Sequence, residues 1–162
     1  MVIRIIITGG TIDKEYNPKK QIFELKKTHI RKMLREGRFP ESAVIDKLML
    51  KDSRDLTNED RLRILQECKK SKQSQIVITH GTDSMETTAK VLGKNIKNKI
   101  IVLTGAIEPV SLEKTDALFN LGGAIIAAKT LKKGVYIVIN GKIFAWHNVR
   151  KNVQKSAFEI VK

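Results

Sequence analysis

The chain has 162 residues, of which 41% are hydrophobic, and a formal net charge of +14. This length indicates one domain with its own core. A single cysteine, Cys68, excludes an internal disulfide framework and is typical of a reducing compartment. The apolar run at the N-terminus is interrupted by Arg4 and is too short for a signal peptide or a membrane span, so we expect a soluble, cytoplasmic protein.

The positive charge has two interpretations. It could attract nucleic acid, anionic lipid or acidic small molecules, or it could be a solvated lysine-rich surface. The basic residues are dispersed, no nucleic-acid-binding motif accompanies them, and only 5% of the residues are aromatic and available for stacking on bases. We therefore interpret the positive charge as a solvated, lysine-rich surface, and we consider nucleic acid an unlikely partner. A positive field would still help to collect an anionic or zwitterionic substrate.

Strand and helix patterns alternate along the chain. A near-continuous apolar run at 2–7 predicts a strand covered on both faces, and a loop follows around Asn17-Pro18. Thr28 is predicted to cap a helix that ends at Gly37. The later segments are a strand at 43–50, a helix opened by Thr57 with Leu62, Leu65 and Cys68 inward, a strand at 75–79, a helix at 84–96, a strand at 100–104 and a helix at 116–131.

The C-terminal part contains a hairpin signal. Apolar runs at 135–139 and 142–146 flank Asn140-Gly141, which is the strongest short signal for a β-hairpin. From Val149 onward the periodicity is weak, and we expect a loop that folds back over the site. The repeated strand-then-helix units predict an α/β fold: a three-layer α/β/α sandwich with a mainly parallel sheet and a C-terminal β-hairpin, in which residues 1–162 form one domain.

Two Thr-Gly-rich turns carry the functional signal. Thr8-Gly9-Gly10-Thr11 and Thr79-His80-Gly81-Thr82 each directly follow a β-branched strand. The carboxyl ends of parallel strands meet at one edge of a sheet, so the two turns are expected to line a common crevice. Their glycines allow backbone N–H groups to approach a ligand closely. The hydroxyls of Thr11 and Thr82 are therefore candidates for one small-molecule site.

A threonine hydroxyl becomes a useful nucleophile only when a base removes its proton and donors stabilise the developing oxyanion. The glycine-rich backbone around Gly10 supplies N–H donors, and Asp83 next to Thr82 suits binding a ligand ammonium or orienting a lysine. An isolated turn of this kind is equally well explained if Thr82 or Ser84 caps a helix. Two such turns in one chain are much less expected by chance.

No cofactor or metal site is expected. The three histidines are scattered without metal-ligand spacing, and the chain lacks the phosphate-binding loop motif. We interpret His80 as a residue that orients the backbone of its turn, His147 as part of the hairpin beside Trp146, and His29 as an exposed residue on a basic helix.

Thr8-Gly9-Gly10-Thr11-Ile12 and the segment from His80 to Glu86 resemble the two signature motifs of bacterial-type L-asparaginases. Further segments look like the same family: Ile101 to Ala106, Asp116 with Phe119-Asn120-Leu121, Gly134-Val135 through Asn140, and Val149-Arg150-Lys151. The resemblance runs through nearly the whole chain in order. It implies an amidohydrolase that converts L-asparagine to L-aspartate and ammonia through a threonine acyl-enzyme, and an oligomer built from close dimers.

The resemblance also implies roles for individual residues. Thr11 matches the nucleophile on a mobile flap, and Thr82, Asp83 and Lys151 match a second triad. Ser53 matches the residue that binds the substrate α-carboxylate, with Asp52 and Arg54 beside it, while Asp83 would also hold the α-ammonium. The remaining implied contacts are backbone groups: Gly10, Gly81 and Thr82 near the oxyanion, and the Ala106 carbonyl at the amide nitrogen.

The chain departs from the family pattern in three ways. Members usually have a second, smaller domain, and this sequence stops where that domain would begin. The flap tyrosine of the family falls at Phe23 here, so Tyr16 is the candidate that could substitute for it. Arg54 stands where Gln or Ser is common and would add a cation beside the α-carboxylate.

Several alternatives remain open. The same mechanism could act on glutamine, D-asparagine or another small amide. The chain could also be a small-ligand-binding or regulatory module with little or no turnover, and nucleic-acid binding ranks last. We expect a homodimer or homotetramer because the segment Ile125–Ala128 and the hairpin offer apolar surface.

Overall fold

A computed structural model describes residues 2–40 and 42–161. The described residues form a six-stranded sheet, two small hairpins and four α-helices. The strands are β1 (Ile3–Gly9), β2 (Lys14–Asn17), β3 (Ile22–Leu25), β4 (Ala43–Lys51), β5 (Gln75–Thr79), β6 (Ile100–Thr104), β7 (Gly134–Ile139), β8 (Lys142–Ala145), β9 (Val149–Asn152) and β10 (Ala157–Ile160). The helices are α1 (Ile30–Glu36), α2 (Asn58–Lys70), α3 (Met85–Asn95) and α4 (Ala117–Thr130).

The main sheet has the strand order β4-β1-β5-β6-β7-β8. All neighbouring pairs are parallel except β7 and β8, which run antiparallel. The turn between β7 and β8 has positive φ at both Asn140 and Gly141, 49° and 74°, as a two-residue hairpin turn requires. The predicted α/β fold with a mainly parallel sheet is confirmed, and so is the predicted Asn-Gly hairpin.

The sheet is covered on both faces, which gives the predicted three layers. On β1, Ile3, Ile5 and Ile7 pack with α1 and α4, whereas Ile6 faces the side of α2 and α3. The central strands β5, β6 and β7 alternate between the two layers in the same way, so their apolar runs are buried on both faces as a central parallel strand requires. The core therefore consists of two apolar layers separated by the sheet.

Local signals explain where the helices begin. The Thr57 hydroxyl accepts a hydrogen bond from the backbone N–H of Asp60, whose carboxylate accepts from the N–H of Thr57, so α2 starts with a capping box. The expectation that Leu62 faces inward is wrong, because Leu62 is 51% exposed. Arg61 is buried instead and donates to the carbonyl of Leu56 at 2.8 Å. At α1 the N-cap is His29 and not the predicted Thr28; the Thr28 hydroxyl, one residue earlier, accepts from the N–H of Ile30 at 3.3 Å.

Two segments that we expected to be loops are hairpins. The region around Asn17-Pro18 is the turn end of an antiparallel hairpin formed by β2 and β3, and the segment from Val149 onward contains the antiparallel pair β9 and β10. Every strand of the two pairs is only four residues long, so a period-two pattern is too short to stand out in the sequence. No helix in residues 2–40 and 42–161 is long and apolar enough to cross a membrane.

The Thr-Gly-rich turns pack directly against each other at the carboxyl edge of the sheet. Gly10 has a φ of 88°, and a Cβ atom on it would lie 2.3 Å from the backbone nitrogen of Gly81. A side chain at position 10 would therefore be excluded both by backbone conformation and by space. The two glycines allow the ends of β1 and β5 to lie side by side.

We predict that Gly10→Ala destabilises the fold by about 2–4 kcal/mol, because either the turn or the backbone of Gly81 must shift. Gly122→Ala is the matched control: Gly122 lies in α4 with nothing within 4 Å of its would-be Cβ. There the same change should stabilise the protein by about 0.5–1 kcal/mol. Denaturant unfolding of the two variants measures both effects, and equal stabilities would contradict the proposed packing of the turns.

Candidate active site

The candidate site lies where the carboxyl ends of β1 and β5 meet the end of β4. The backbone N–H of Gly10 donates to the carbonyl of Lys51 at 2.9 Å, and a Cβ on Gly81 would lie 2.5 Å from the Ser53 hydroxyl. The turns that carry Thr11 and Thr82 and the segment that carries Ser53 therefore form one continuous surface. This is the shared edge that the sequence predicts.

Thr82, Asp83 and Lys151 form one hydrogen-bonded cluster. The Nζ of Lys151 lies 2.8 Å from the Oγ1 of Thr82 and also forms a short ion pair with Oδ1 of Asp83. Thr82 is buried and the Lys151 side chain is only 12% exposed, whereas Asp83 reaches solvent. A cation held against a buried hydroxyl in this way is suited to influence its proton.

Strand β9 brings Lys151 to this cluster. The backbone N–H of Lys151 donates to Oε2 of Glu86 in α3 at 2.9 Å, which ties the hairpin to the start of that helix. Val149 and Lys151 face inward on β9, and Phe158 on β10 lies opposite Lys151 and is buried. Glu86 lies within the second motif, but its contact with β9 was missed because nothing in the sequence predicted that hairpin.

Ser53 fixes the turn that carries Asp83. Its hydroxyl accepts from the N–H of Asp83 at 3.2 Å, and its carbonyl accepts from the Ser84 hydroxyl at 2.5 Å. Ser53 itself is buried at the start of a short 3-10 turn, and Asp52 caps that turn by accepting from the N–H of Arg54. Two chain segments that are 30 residues apart are thus held in a fixed relation.

Thr11 begins a 3-10 turn at the end of β1 and is half-buried. Its hydroxyl forms no hydrogen bond with residues of the described ranges 2–40 and 42–161, so it differs from Thr82. The turn is anchored by buried Asp13, whose Oδ1 accepts from the Thr28 hydroxyl and, at 2.7 Å, from the N–H of His29. Asp13 therefore joins the two ends of the β2–β3 hairpin beside Thr11, and burial raises the pKa of its carboxyl.

The β2–β3 hairpin carries both candidates for the flap aromatic residue. Tyr16 and Phe23 are direct cross-strand partners, with ring centroids 5.3 Å apart, and Tyr16 is 50% exposed. The base of the hairpin is held to the Ser53 segment by Lys14, whose Nζ lies 2.6 Å from Oδ2 of Asp52. The Ser111 hydroxyl also donates to the Lys14 carbonyl at 2.9 Å. Sequence reasoning missed Lys14 because its partner lies 38 residues away.

Arg54 lies beside Asp52 rather than at an open carboxylate position. Its guanidinium donates through Nε and Nη2 to the two oxygens of Asp52, at 3.0 and 3.1 Å. These bonds, with Lys14 adding to them, hold the pKa of the Asp52 carboxyl well below its usual range. Nε of Arg54 also lies 3.7 Å from Oδ2 of Asp83.

Ala106 follows β6 in a loop that two polar side chains fix. The Asp116 carboxylate accepts from the N–H groups of Ile107 and Glu108, and the Asn120 amide donates to the Gly105 carbonyl at 2.9 Å. Ala106 itself is buried. The motif residues Asp116 and Asn120 thus position the loop that contains the Ala106 carbonyl.

The histidines have separate roles. Buried His80 contacts the Gly81 carbonyl through Nδ1 at 2.7 Å and the Thr88 hydroxyl through Nε2 at 2.8 Å. Because a carbonyl only accepts, Nδ1 carries the proton and Nε2 accepts from Thr88. Burial lowers the pKa of His80 to about 4. The expectation that His29 is exposed is wrong, because its side chain is only 11% exposed. The β2–β3 hairpin covers it, and Nε2 of His29 lies 3.0 Å from Oε1 of Glu15 on β2.

We predict that His80 makes stability depend on pH. Because folding lowers the pKa of His80 from 6.5 to about 4, the unfolded chain binds a proton below pH 6.5 that the folded chain does not. Stability is then full above pH 6.5 and falls by up to about 3 kcal/mol as the pH drops towards 4. His80→Gln should remove this difference and exposed His147→Gln should not, as measured by unfolding free energies from pH 7.5 to 4. Parallel curves for all three proteins would contradict the assignment.

The chain is similar to known proteins over nearly its whole length. The family described as Asparaginase, N-terminal, matches residues 2–161. A probable periplasmic L-asparaginase of Haemophilus influenzae is 34% identical over 107 residues, covering 61% of this chain and 30% of its own length. A glutaminase-asparaginase of Acinetobacter glutaminasificans is 38% identical over 96 residues, covering 56% of this chain and 29% of its own.

The fold matches solved structures as well. The crystal structure of a probable cytoplasmic L-asparaginase from Campylobacter jejuni superposes on this chain with a TM-score of 0.84 and 30% sequence identity. The match covers 98% of this chain and 52% of that one. The chain thus spans about half the length of this structure and a smaller share of the two curated relatives above. Because the family match covers residues 2–161, the chain belongs to the asparaginase family and corresponds to the N-terminal domain of that family.

Proposed function

We propose that this chain hydrolyses the side-chain amide of L-asparagine to L-aspartate and ammonia. The observation that carries the proposal is the cluster of Thr82, Asp83 and Lys151, in which the lysine Nζ lies 2.8 Å from a buried threonine hydroxyl. The cluster adjoins the turn that presents the unengaged hydroxyl of Thr11. Membership of the asparaginase family supports the same reaction.

The proposed reaction is a two-step acyl transfer. The Thr11 oxygen bonds to the amide carbon as its O–H bond breaks, the C–N bond breaks, and the amide nitrogen gains one proton, balancing the one that Thr11 gives up, and leaves as ammonia. Water then cleaves the resulting ester and regenerates the hydroxyl. Lys151, when its amine is unprotonated, accepts a proton from Thr82, and Asp83 keeps the amine in place. Tyr16 on the flap hairpin is the proposed aromatic partner of Thr11.

The remaining site residues are proposed to bind the substrate. The Ser53 hydroxyl accepts from the backbone N–H of Asp83, and we propose that these two residues bind the α-carboxylate and the α-ammonium respectively. The N–H groups of Gly81 and Thr82 are the proposed donors to the oxyanion, which preorganised donors stabilise strongly. The N–H of Gly10 is already engaged by the Lys51 carbonyl at 2.9 Å, so Gly10 contributes to the site by its close packing and not as a donor. The Ala106 carbonyl would accept from the amide nitrogen.

We also propose that the protein forms a homodimer or a homotetramer. Within the segment Ile125–Ala128, three of the four residues are buried in the chain's own core, so less apolar surface is free there than we expected. The exposed large apolar side chains on α4 are Leu118 at 39%, Phe119 at 66% and Ile126 at 61%, and Leu118 and Ile126 line a cavity of about 320 Å³ between α1 and α4. We also propose that the protein is located in the cytoplasm, because its single cysteine, Cys68, is free and buried, which is typical of a reducing compartment.

We predict that Thr11→Ala abolishes ammonia release from L-asparagine and that Thr82→Ala and Lys151→Met each lower kcat by about 10²–10⁴-fold, because each removes a proton-transfer or nucleophilic group. Thr87→Ala and Lys90→Met, at exposed positions of α3, are the matched controls and should keep full activity. A coupled ammonia assay with circular dichroism of each variant measures both activity and folding.

Two outcomes would contradict the proposal. A fully active Lys151→Met enzyme would refute the role of the lysine. Calorimetric binding of L-aspartate without turnover of L-asparagine or glutamine by the unmodified protein would favour a ligand-binding module instead.

A further inference from the structure

The turn that carries Thr11 is anchored at both of its ends to one neighbouring segment of the chain. Before the turn, the backbone N–H of Gly10 donates to the carbonyl of Lys51 at 2.9 Å. After the turn, Nζ of Lys14 lies 2.6 Å from Oδ2 of Asp52, and both side chains are less than 20% exposed. Lys51 ends β4 and Asp52 follows it directly, so the position of Thr11 is defined relative to that strand from both sides.

Arg54 holds Asp52 in place independently of Lys14. The Nε and Nη2 atoms of Arg54 donate to the two oxygens of Asp52 at 3.0 and 3.1 Å, and the backbone N–H of Arg54 donates to the same carboxylate at 3.1 Å. Lys14 is also held through its backbone, because the Ser111 hydroxyl donates to its carbonyl at 2.9 Å. The ammonium of Lys14 therefore meets a carboxylate that is already fixed. A partly buried pair of this kind is screened by salt much less than a surface pair.

The part of the β2–β3 hairpin beyond Lys14 is attached to the protein in a different way. For residues 17–24, every hydrogen bond and ion pair in the described part of the chain stays within residues 14–26. The rings of Tyr16 and Phe23 pack on each other and are 50% and 41% exposed. A segment with few contacts to the body of a protein opens at a low free-energy cost, so this distal part of the hairpin can move while its base stays in place.

We propose that Lys14 is a positioning residue that keeps Thr11 fixed while the distal part of the hairpin moves. Thr11 then lies on the fixed side of the Lys14–Asp52 pair and Tyr16 on the moving side. This differs from the family resemblance, which implies that the nucleophile moves with the flap. The inference rests on the proposed amide hydrolysis, because a nucleophile must stay within about 3–3.5 Å of the carbon that it attacks. Lys14 acts through the turn and does not itself take part in the reaction.

The first test measures kcat and KM for L-asparagine in Lys14→Met, which removes the charge and keeps an unbranched side chain. We expect kcat to fall by about 10–100-fold, because Thr11 is no longer held at the attacking distance. KM should stay within about twofold, since Arg54 still holds Asp52 beside the substrate-binding Ser53. Lys14→Arg, whose guanidinium can reach Asp52, should restore most of kcat. Lys20→Met is the matched control: it removes an ion pair inside the hairpin, with Glu24 at 3.3 Å, and should leave kcat unchanged.

Amide hydrogen exchange, followed by NMR, gives a second test that does not need turnover. The N–H of Asp13 donates to the Gly10 carbonyl across the Thr11 turn at 3.1 Å. In Lys14→Met this amide should exchange at least about tenfold faster, whereas the amides of β5 should not change. Unaltered kcat or unaltered exchange in Lys14→Met, a loss that Lys14→Arg does not restore, or an equal loss in Lys20→Met overturns the role of Lys14. Failure of the proposed function looks different: the unmodified protein releases no ammonia, and the exchange of Asp13 still reports whether Lys14 holds the turn.

Discussion

The close approach of Gly10 to Gly81 is the constraint on which the site depends. A parallel sheet places the ends of β1 and β5 at one edge, but side chains would normally separate the two turns. Here the absence of a Cβ on Gly10 lets its backbone lie against that of Gly81, and the absence of a Cβ on Gly81 leaves room for Ser53 on its other side. The distance between the segments that carry Thr11 and Thr82 is therefore set by backbone packing, which is more rigid than any contact between flexible side chains.

The charged side chains at this edge of the sheet are held in place by pairing with one another. Most of the charged side chains of the site are paired: Lys151 pairs with Asp83, and Lys14 and Arg54 pair with Asp52. Such pairing reduces the cost of keeping charged groups in a partly buried crevice. Buried Asp13 differs, since one of its oxygens has no hydrogen-bond partner within the described part of the chain. Asp13 joins the two ends of the β2–β3 hairpin beside Thr11.

The sequence predicted the sheet and its helices because those elements have long, regular apolar patterns. The continuous apolar runs of β1, β5 and β6 and the capping box at Thr57 are local signals that tertiary contacts do not override. The hairpins β2–β3 and β9–β10 were missed, since strands of only four residues carry almost no periodicity. Lys151 could be singled out only by resemblance, because its contact with Thr82 spans 69 residues.

Lys151 and Phe158 are direct cross-strand partners on the β9–β10 hairpin, so the position of the lysine amine depends on the packing of the phenylalanine ring. Residues directly opposite each other on antiparallel strands project to the same side, so the buried ring and the lysine stem enter the interior together. Phe158 also lies beside Phe144 of β8, with ring centroids 6.3 Å apart. Loosening of those aromatic rings would let the amine drift from its hydroxyl while the central sheet stayed intact, so catalytic competence can be lost at a lower temperature than the fold itself.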